Sequence, residues 1–291
     1  MNRIEVQQGA AVRDPYRDQL ESPVERVIVP TKRRLKPRDL LGDAPVIRVL
    51  AVRDFKVKYK QSMLGPLWLV FQPLALLAAF LVAFRGLADV ESSGVPYAVF
   101  ALVGLAVWSF FQAAMTIGTA SLITNVNYVR FTPCPRQAFP IAAVIASVPA
   151  FGVTAAGALV SAAATGVLSP RVGLLPLAFL WLAVLTLGIV AISSSLAVRY
   201  RDMISALPFL LQVGLFFAPI GYSLASLSPT LRVIVDLNPL TGVIEATRWI
   251  MLSGYDPSFE PLAFALVETV LVAAIGWRVF SRLETTMADV I

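Results

Sequence analysis

Residues 53–74 read RDFKVKYKQSMLGPLWLVFQPL, in which Arg53, Lys56, Lys58 and Lys60 run straight into an apolar stretch broken by Gly65-Pro66, Gln72 and Pro73. A water-soluble domain would solvate the first half and fold the second into a core. A chain entering a bilayer would instead hold its cations at the headgroups and then turn inward. At a helical 100° per residue, Arg53, Lys56 and Lys60 fall within about 60° of one another, and Val52, Phe55 and Tyr59 face largely the other way. Such a helix suits the membrane interface, with its aromatic side buried and its cations toward the headgroups. The same pattern also fits a simple orientation anchor with no substrate role. Gly65-Pro66 permits a sharp turn into the membrane, where a proline near the first turn forfeits no helical hydrogen bond. Pro73 interrupts the helix it lies in. Gln72 carries an amide that lipid would not satisfy, so it is expected to face other helices or a water-filled path, with Trp68 on the same face.

The whole composition agrees with that choice. Of 291 residues 57% are hydrophobic and 14% charged, and the mean hydropathy is +0.75, far from soluble domains. One cysteine, Cys134, and no histidine exclude an internal disulfide, a Cys/His zinc site and a His-based catalytic dyad within this chain. The pI of about 9.7 points to anionic headgroups or phosphate-bearing substrates, because the basic residues crowd beside apolar segments. No nucleic-acid recognition module is visible. Residues 1–63 lack a cleavable signal pattern.

A span needs about 20 apolar residues, and six segments qualify: 64–84, 96–121, 138–168, 173–198, 204–227 and 259–279. With the amino terminus inside, that side holds fourteen Lys and Arg before residue 64, then Arg130, Arg136, Arg199, Arg201, Arg278 and Arg282. The other side holds Arg85, Arg171, Arg232 and Arg248. Both termini are therefore expected in the cytoplasm. The expected organisation is a flexible extension over 1–44, an interfacial helix over 45–63 starting at Pro45, a six-span domain over 64–282 and a tail over 283–291. In the third span Ala142, Ala146 and Ala150, then Gly152 with Ala156 and Gly157 with Ser161, invite close helix packing.

Between spans five and six, SPTLRVIVDLNPLTGVIEATRWIMLSG (228–254) carries Arg232, Asp236, Glu245 and Arg248, too many charges for a span. Asn238-Pro239 reads as an N-cap followed by a first-turn proline, and Ser253-Gly254 as a stop. Two short helices broken at Asn238 are expected, with Val243, Ala246 and Ile250 as an apolar stripe and Glu245 paired to Arg248. Glu268 is the acid deepest in a span, which marks it as a functional candidate, but a structural reading is favoured, in which it is protonated or hydrogen-bonded to a neighbouring helix. Asp89 and Glu91 read as a solvated loop. No GxxxxGK[ST] loop is present, so the chain is not expected to hydrolyse ATP itself.

RDFKVKYKQSMLGPLWLVFQPL, VPYAVFALVGLAVWSFFQ, LAVRYRDM, LPFLLQVGLFFAPIGYSL, LNPLTGVIEATRW and SRLETTMADVI, in that order over about residues 45–291, resemble the membrane subunit of bacterial ABC exporters of polysaccharides and polyol phosphates. That family exports O-antigen, capsule and teichoic acid. The resemblance implies an all-α integral membrane permease of the inner membrane: six spans, a preceding interfacial helix and short extracytoplasmic gate helices. It further implies a homodimer joined to two copies of a separate subunit that binds ATP and magnesium, with no cofactor on this chain. Trp68, Phe71 and Gln72 in the first span, with Phe209, Gln212, Phe216, Phe217 and Tyr222 in the fifth, would line the path of a lipid-linked glycan. Rings stack on pyranose faces and amides exchange hydrogen bonds with hydroxyls; the bland alternative for each aromatic is lipid contact or core packing. Arg53, Lys56 and Lys60 would attract the carrier's phosphates. Asn238, Pro239, Glu245 and Arg248 would belong to the gate. Asn125, Arg130, Arg136, Tyr200, Arg201 and Asp202 would receive motion from the ATPase, although Pro133 and Pro135 break this region more than the family pattern does. A permease for drugs or small lipids, and a membrane enzyme of glycolipid assembly, are the competing readings.

Overall fold

A backbone in hydrocarbon must satisfy its own polar groups, and the described part of this chain does so with helices. The computed structural model describes residues 39–60, 62–83, 94–131, 134–257 and 259–290. Residues 1–38 of the expected 1–44 extension, and Arg85, Asp89 and Glu91, lie outside them; residues 39–44 of that extension are helical. Helix α1 (Asp39–Tyr59) precedes a 3-10 turn, Gly65–Leu67, that leads into α2 (Trp68–Phe80). Gly65 makes the turn at a φ of +51°, a conformation glycine adopts without penalty. Then follow α3 (Tyr97–Thr124), α4 (Val126–Phe131), α5 (Ala138–Ala146), α6 (Val148–Ala164), α7 (Leu175–Arg199), α8 (Asp202–Phe217), α9 (Pro229–Asp236), α10 (Pro239–Met251) and α11 (Phe259–Val290).

Five stretches among the described residues are long and apolar enough to cross a membrane: Gly65–Ala83, Tyr97–Thr124, Ala138–Ala164, Pro170–Arg199 and Phe259–Glu284. The fifth segment expected from sequence, 204–227, forms a shorter helix. α8 ends at Phe217 because Pro219 disfavours helical geometry at the residue before it, and Ala218 is extended at φ −91°, ψ 135°.

α3 is apolar all round, and a helix of that kind belongs in the middle. Its Phe100, Leu105, Phe110 and Leu122 are fully buried. Between helices in lipid the driving forces are close packing and hydrogen bonds rather than hydrophobicity, and both are visible. Trp181 Nε1 donates to Thr269 Oγ1 at 2.7 Å, and Thr119 and Ser193 share a hydrogen bond of 2.8 Å. α7 and α11 cross where a Cβ on Gly276 would lie 2.4 Å from the Gly188 carbonyl oxygen. Of the small-residue series expected in span three, Ala142, Ala146 and Ala150 are buried, whereas Gly152, Ala156 and Gly157 face outward.

One end of the bundle is closed by a second apolar cluster. Ile47, Leu50 and Ala51 of α1 pack there with Val129 of α4, Phe139 of α5 and Phe280 of α11. α1 therefore packs Ile47, Leu50 and Ala51 on the protein, with Phe55 against the same cluster, while Val49, Val52 and Val57 stay exposed. The sequence reading had aimed the Val52, Phe55 and Tyr59 side at lipid. α1 also begins at Asp39, six residues before the expected start, with Pro45 inside it.

At the opposite end, α10 is almost wholly buried, and α9 is largely exposed. The 3-10 turn Pro170–Leu174 and the chain before it strap α10 down. Ser169 N–H donates to Met251 O at 3.0 Å, Ser253 N–H to Val167 O at 2.7 Å, and the Arg171 guanidinium lies 4.4 Å from the Trp249 ring.

Candidate functional site

α2, α3 and α8 enclose a cleft of about 540 Å³. Its polar lining consists of two amides, Gln112 from α3 and Gln212 from α8, set among Phe80, Trp108, Leu211 and Phe216. Among the described residues, no charged side chain lines it. Neutral amides beside aromatic faces can exchange hydrogen bonds with hydroxyls and stack on C–H faces without holding an ion.

The structure thus brings together two of the expected path residues, Gln212 and Phe216. Trp68, Phe71 and Gln72 lie on the exposed side of α2, with the Trp68 and Phe71 rings 6.5 Å apart. Phe209 and Phe217 are exposed on α8, outside the cleft. Tyr222 is half-buried and donates its hydroxyl to Phe216 O at 3.0 Å. Sequence reasoning missed Trp108 and Gln112. The signal was present, since Gln112 is the sole amide within α3 and the argument applied to Gln72 applies to it equally.

On α1 the three cations divide. Arg53 Nη2 donates to Asp54 Oδ1 at 2.7 Å, and its guanidinium carbon sits 5.5 Å from the Tyr128 ring. Lys56 and Lys60 point outward and are exposed. Burial lowers the pKa of Lys58.

Among the expected coupling residues, Asn125 caps α3 and donates from Nδ2 to Ser121 O at 2.8 Å. Arg136 Nη1 donates to Glu284 O. Tyr200, Arg201 and Asp202 are exposed at the turn joining α7 to α8. The Arg130 side chain lies outside the described residues. Glu268 has one buried oxygen, Oε2, with no hydrogen-bond partner among the described residues.

The break between α9 and α10 falls at Asn238, as the sequence predicts, and Pro239 opens α10. Asn238 Oδ1 accepts from Leu240 N–H at 3.1 Å, while its Nδ2 donates to Phe217 O at 3.3 Å. Asn238→Ala removes both bonds and is expected to cost about 1 kcal/mol. The thermal midpoint of the purified protein should fall by roughly 3 °C; an unchanged midpoint would contradict the capping role.

Within α10, Glu245 and Arg248 pair at 3.0 Å with side chains 3% and 0% exposed. Glu245 Oε2 accepts from the Tyr255 hydroxyl at 2.6 Å. Burial pushes the Tyr255 phenol up from its ordinary value, against the pull of Arg248, so it remains a donor. Arg248 Nη2 donates to Ile220 O at 2.8 Å, and the guanidinium carbon lies 3.5 Å from the centre of the Phe100 ring. The sequence reading paired Glu245 with Arg248 but had no means of finding Tyr255, Ile220 or Phe100.

Residues 45–252 match the family model described as "ABC-2 type transporter". The chain belongs to the ABC-2 type transporter family. The match takes this ABC-2 chain from within α1 to the end of α10, and so includes the cleft and the buried ion pair. Among curated proteins, an "O-antigen export system permease protein RfbA" of Klebsiella pneumoniae is 25% identical over 246 residues, 84% of this chain and 93% of that protein. One of the same description from Myxococcus xanthus is 26% identical over 257 residues, covering 85% and 96%. A "Polysialic acid transport protein KpsM" of Escherichia coli is 22% identical over 243 residues, covering 83% and 94%. The ABC-2 chain is a multi-pass membrane transporter subunit.

Proposed function

We propose that this chain is the membrane permease of an exporter that moves a lipid-linked cell-surface polysaccharide across the bacterial inner membrane. The observation that carries the reading is its likeness, over more than four fifths of its length, to permeases named for O-antigen export and polysialic acid transport. The cleft, whose described lining has two amides, aromatic walls and no charge, supports it, because such a lining offers hydrogen bonds to hydroxyls without trapping charge.

In this reading α8 is a sixth crossing. Its 16 residues reach about 24 Å at 1.5 Å per residue, and the non-helical residues 218–222 add to that depth. An even number of crossings puts both termini on one side, with α1 and the Tyr200–Asp202 turn, and the excess of Lys and Arg there makes it the cytoplasmic one. The exposed faces of α2 and α8, bearing Trp68, Phe71, Gln72, Phe209 and Phe217, meet a second copy and complete a conduit. Two copies of a partner subunit hydrolyse magnesium ATP and press on the turn at Tyr200–Asp202 and on the segment from Asn125 to Arg136.

Tagged chain extracted from its native membrane should co-purify with an ATP-binding subunit, and deletion of the chain should strand glycan inside the cell. Isolation without that subunit, together with unaltered surface glycan, would end the proposal. Lys56 and Lys60 are the cations positioned to draw in carrier phosphates, since Arg53 is engaged by Asp54. Lys56→Gln with Lys60→Gln is expected to cut export severalfold at equal membrane levels, and Arg53→Gln alone to cut it less. Phosphate contacts of this type contribute about 1 kcal/mol per cation near a surface. Quantified surface glycan is the measurement, and full export by the double variant would remove the phosphate role.

A further inference from the structure

α8 touches the rest of the protomer along a narrow seam. Leu207 and Leu211 are its buried residues, and at Gly214 an added Cβ would lie 3.4 Å from the Trp108 ring. The 540 Å³ cleft lies on one side of that seam. On the other side α3, α7 and α8 enclose a second cavity of about 390 Å³, with Phe111, Ile192, Met203 and Leu210 in its wall. Trp108 and Leu211 border both cavities. A helix with open space on either side can move without first displacing packed side chains.

Its two ends are held very differently. At one end a short turn at Tyr200 and Arg201, both exposed, joins it to α7. At the other, residues 218–222 leave the helix, and non-helical backbone at membrane depth persists only where protein satisfies it. Two separate helices do so: Ile220 O accepts from Arg248 of α10 at 2.8 Å, and Gly221 O accepts from the Tyr97 hydroxyl of α3 at 2.9 Å. Ile220 also sits directly on Gly104, where a Cβ would come within 3.0 Å of its Cα. Arg248 is itself immobilised by Glu245, and Glu245 by Tyr255.

We infer that Arg248 is a positioning residue that fixes the far end of α8, so that this helix swings as a lever about Ile220 and Gly221 while its Tyr200 end moves. The two cavities exchange volume as it swings. The buried α10 is the fixed mount of this lever and not itself a moving gate. What drives the lever rests on the exporter reading; the anchor does not.

The test uses the full chain with its co-purified partner in a Cys134→Ala background, which leaves no other cysteine. Single cysteines at Ser223, Leu210 and Ala162 report on the anchor, the swinging part and a distant buried site. With native Arg248, labelling at Leu210→Cys is expected to change on adding magnesium ATP, and labelling at Ser223→Cys to stay slow throughout. Arg248→Lys keeps the charge but cannot fork to both Glu245 and Ile220. It should speed Ser223→Cys labelling at least about tenfold and leave Ala162→Cys protected. Tyr97→Phe should do the same in smaller measure, and it decides alone if Arg248→Lys fails to insert.

The inference is overturned if Ser223→Cys follows nucleotide as strongly as Leu210→Cys, or if nucleotide alters neither site. It is equally overturned if both anchor variants leave Ser223→Cys slow, or if Ala162→Cys becomes reactive alongside it. Ser223→Cys labelling can also be read without any partner, so loss of the exporter reading and loss of the anchor give different results.

Discussion

Arg248→Met is expected to remove most of the folded protein from the membrane. The substitution deletes a guanidinium that is 0% exposed and serves Glu245 and the Ile220 carbonyl while lying against the Phe100 ring. It leaves a carboxylate with Tyr255 as its remaining partner and a backbone carbonyl with none. Breaking a buried pair by removing one member costs about 3–5 kcal/mol, much of it the penalty for the stranded charge. That is a large fraction of the stability of a typical domain. Adding Glu245→Gln takes the stranded charge away and should recover part of the loss. Thermal melting of the detergent-solubilised protein checks both. A single variant within about 1 kcal/mol of native would mean that the pair is not strongly coupled to the fold, and a double variant worse than the single would exclude stranded charge as the cause.

The second large effect is expected at Gly276. A Cβ there would lie 2.4 Å from the Gly188 carbonyl oxygen and 3.0 Å from the Gly188 Cα. The obstructing atoms are backbone, so no rotamer change relieves the clash. α7 and α11 must part along their crossing for the methyl to fit. Overpacking of this kind costs roughly 1–3 kcal/mol and sometimes more, and within a bilayer the lost close contact is itself the source of helix association. Gly276→Ala should lower the amount of inserted, monodisperse protein severalfold. Gly152→Ala and Gly157→Ala, where nothing lies within 4 Å of the added atom, should leave it unchanged within this protomer. Equal losses at all three positions would show that intrinsic helix effects, not the crossing, set the outcome.

These glycines also mark how far the sequence could be read. The series at Gly152, Ala156 and Gly157 looks like a packing stripe in the chain, yet those residues face outward, while the closest crossing uses Gly188 and Gly276. Spacing identifies residues small enough for close approach. Which helix approaches is a matter of three-dimensional arrangement. The candidate site divides in the same manner. Gln212 and Phe216 were legible as polar and aromatic groups within an apolar helix. Gln112 and Trp108, more than ninety residues earlier in the chain, join them because α3 passes between α2 and α8.

By itself the sequence determined that this is a helical membrane protein, where its main spans begin, that Asn238-Pro239 starts a short helix, and that Glu245 can reach Arg248. Each follows from a local period, a hydropathy run or a cap, which depend on neighbours a few residues away. Tertiary structure alone decided that α1 turns Ile47, Leu50 and Ala51 inward onto Phe139 and Val129, that α8 stops at Phe217 with two cavities beside it, and that a buried arginine answers the carbonyl of Ile220. Those outcomes depend on hydrogen-bond acceptors and empty volume contributed by segments distant in the chain, and no local pattern encodes where such segments will meet.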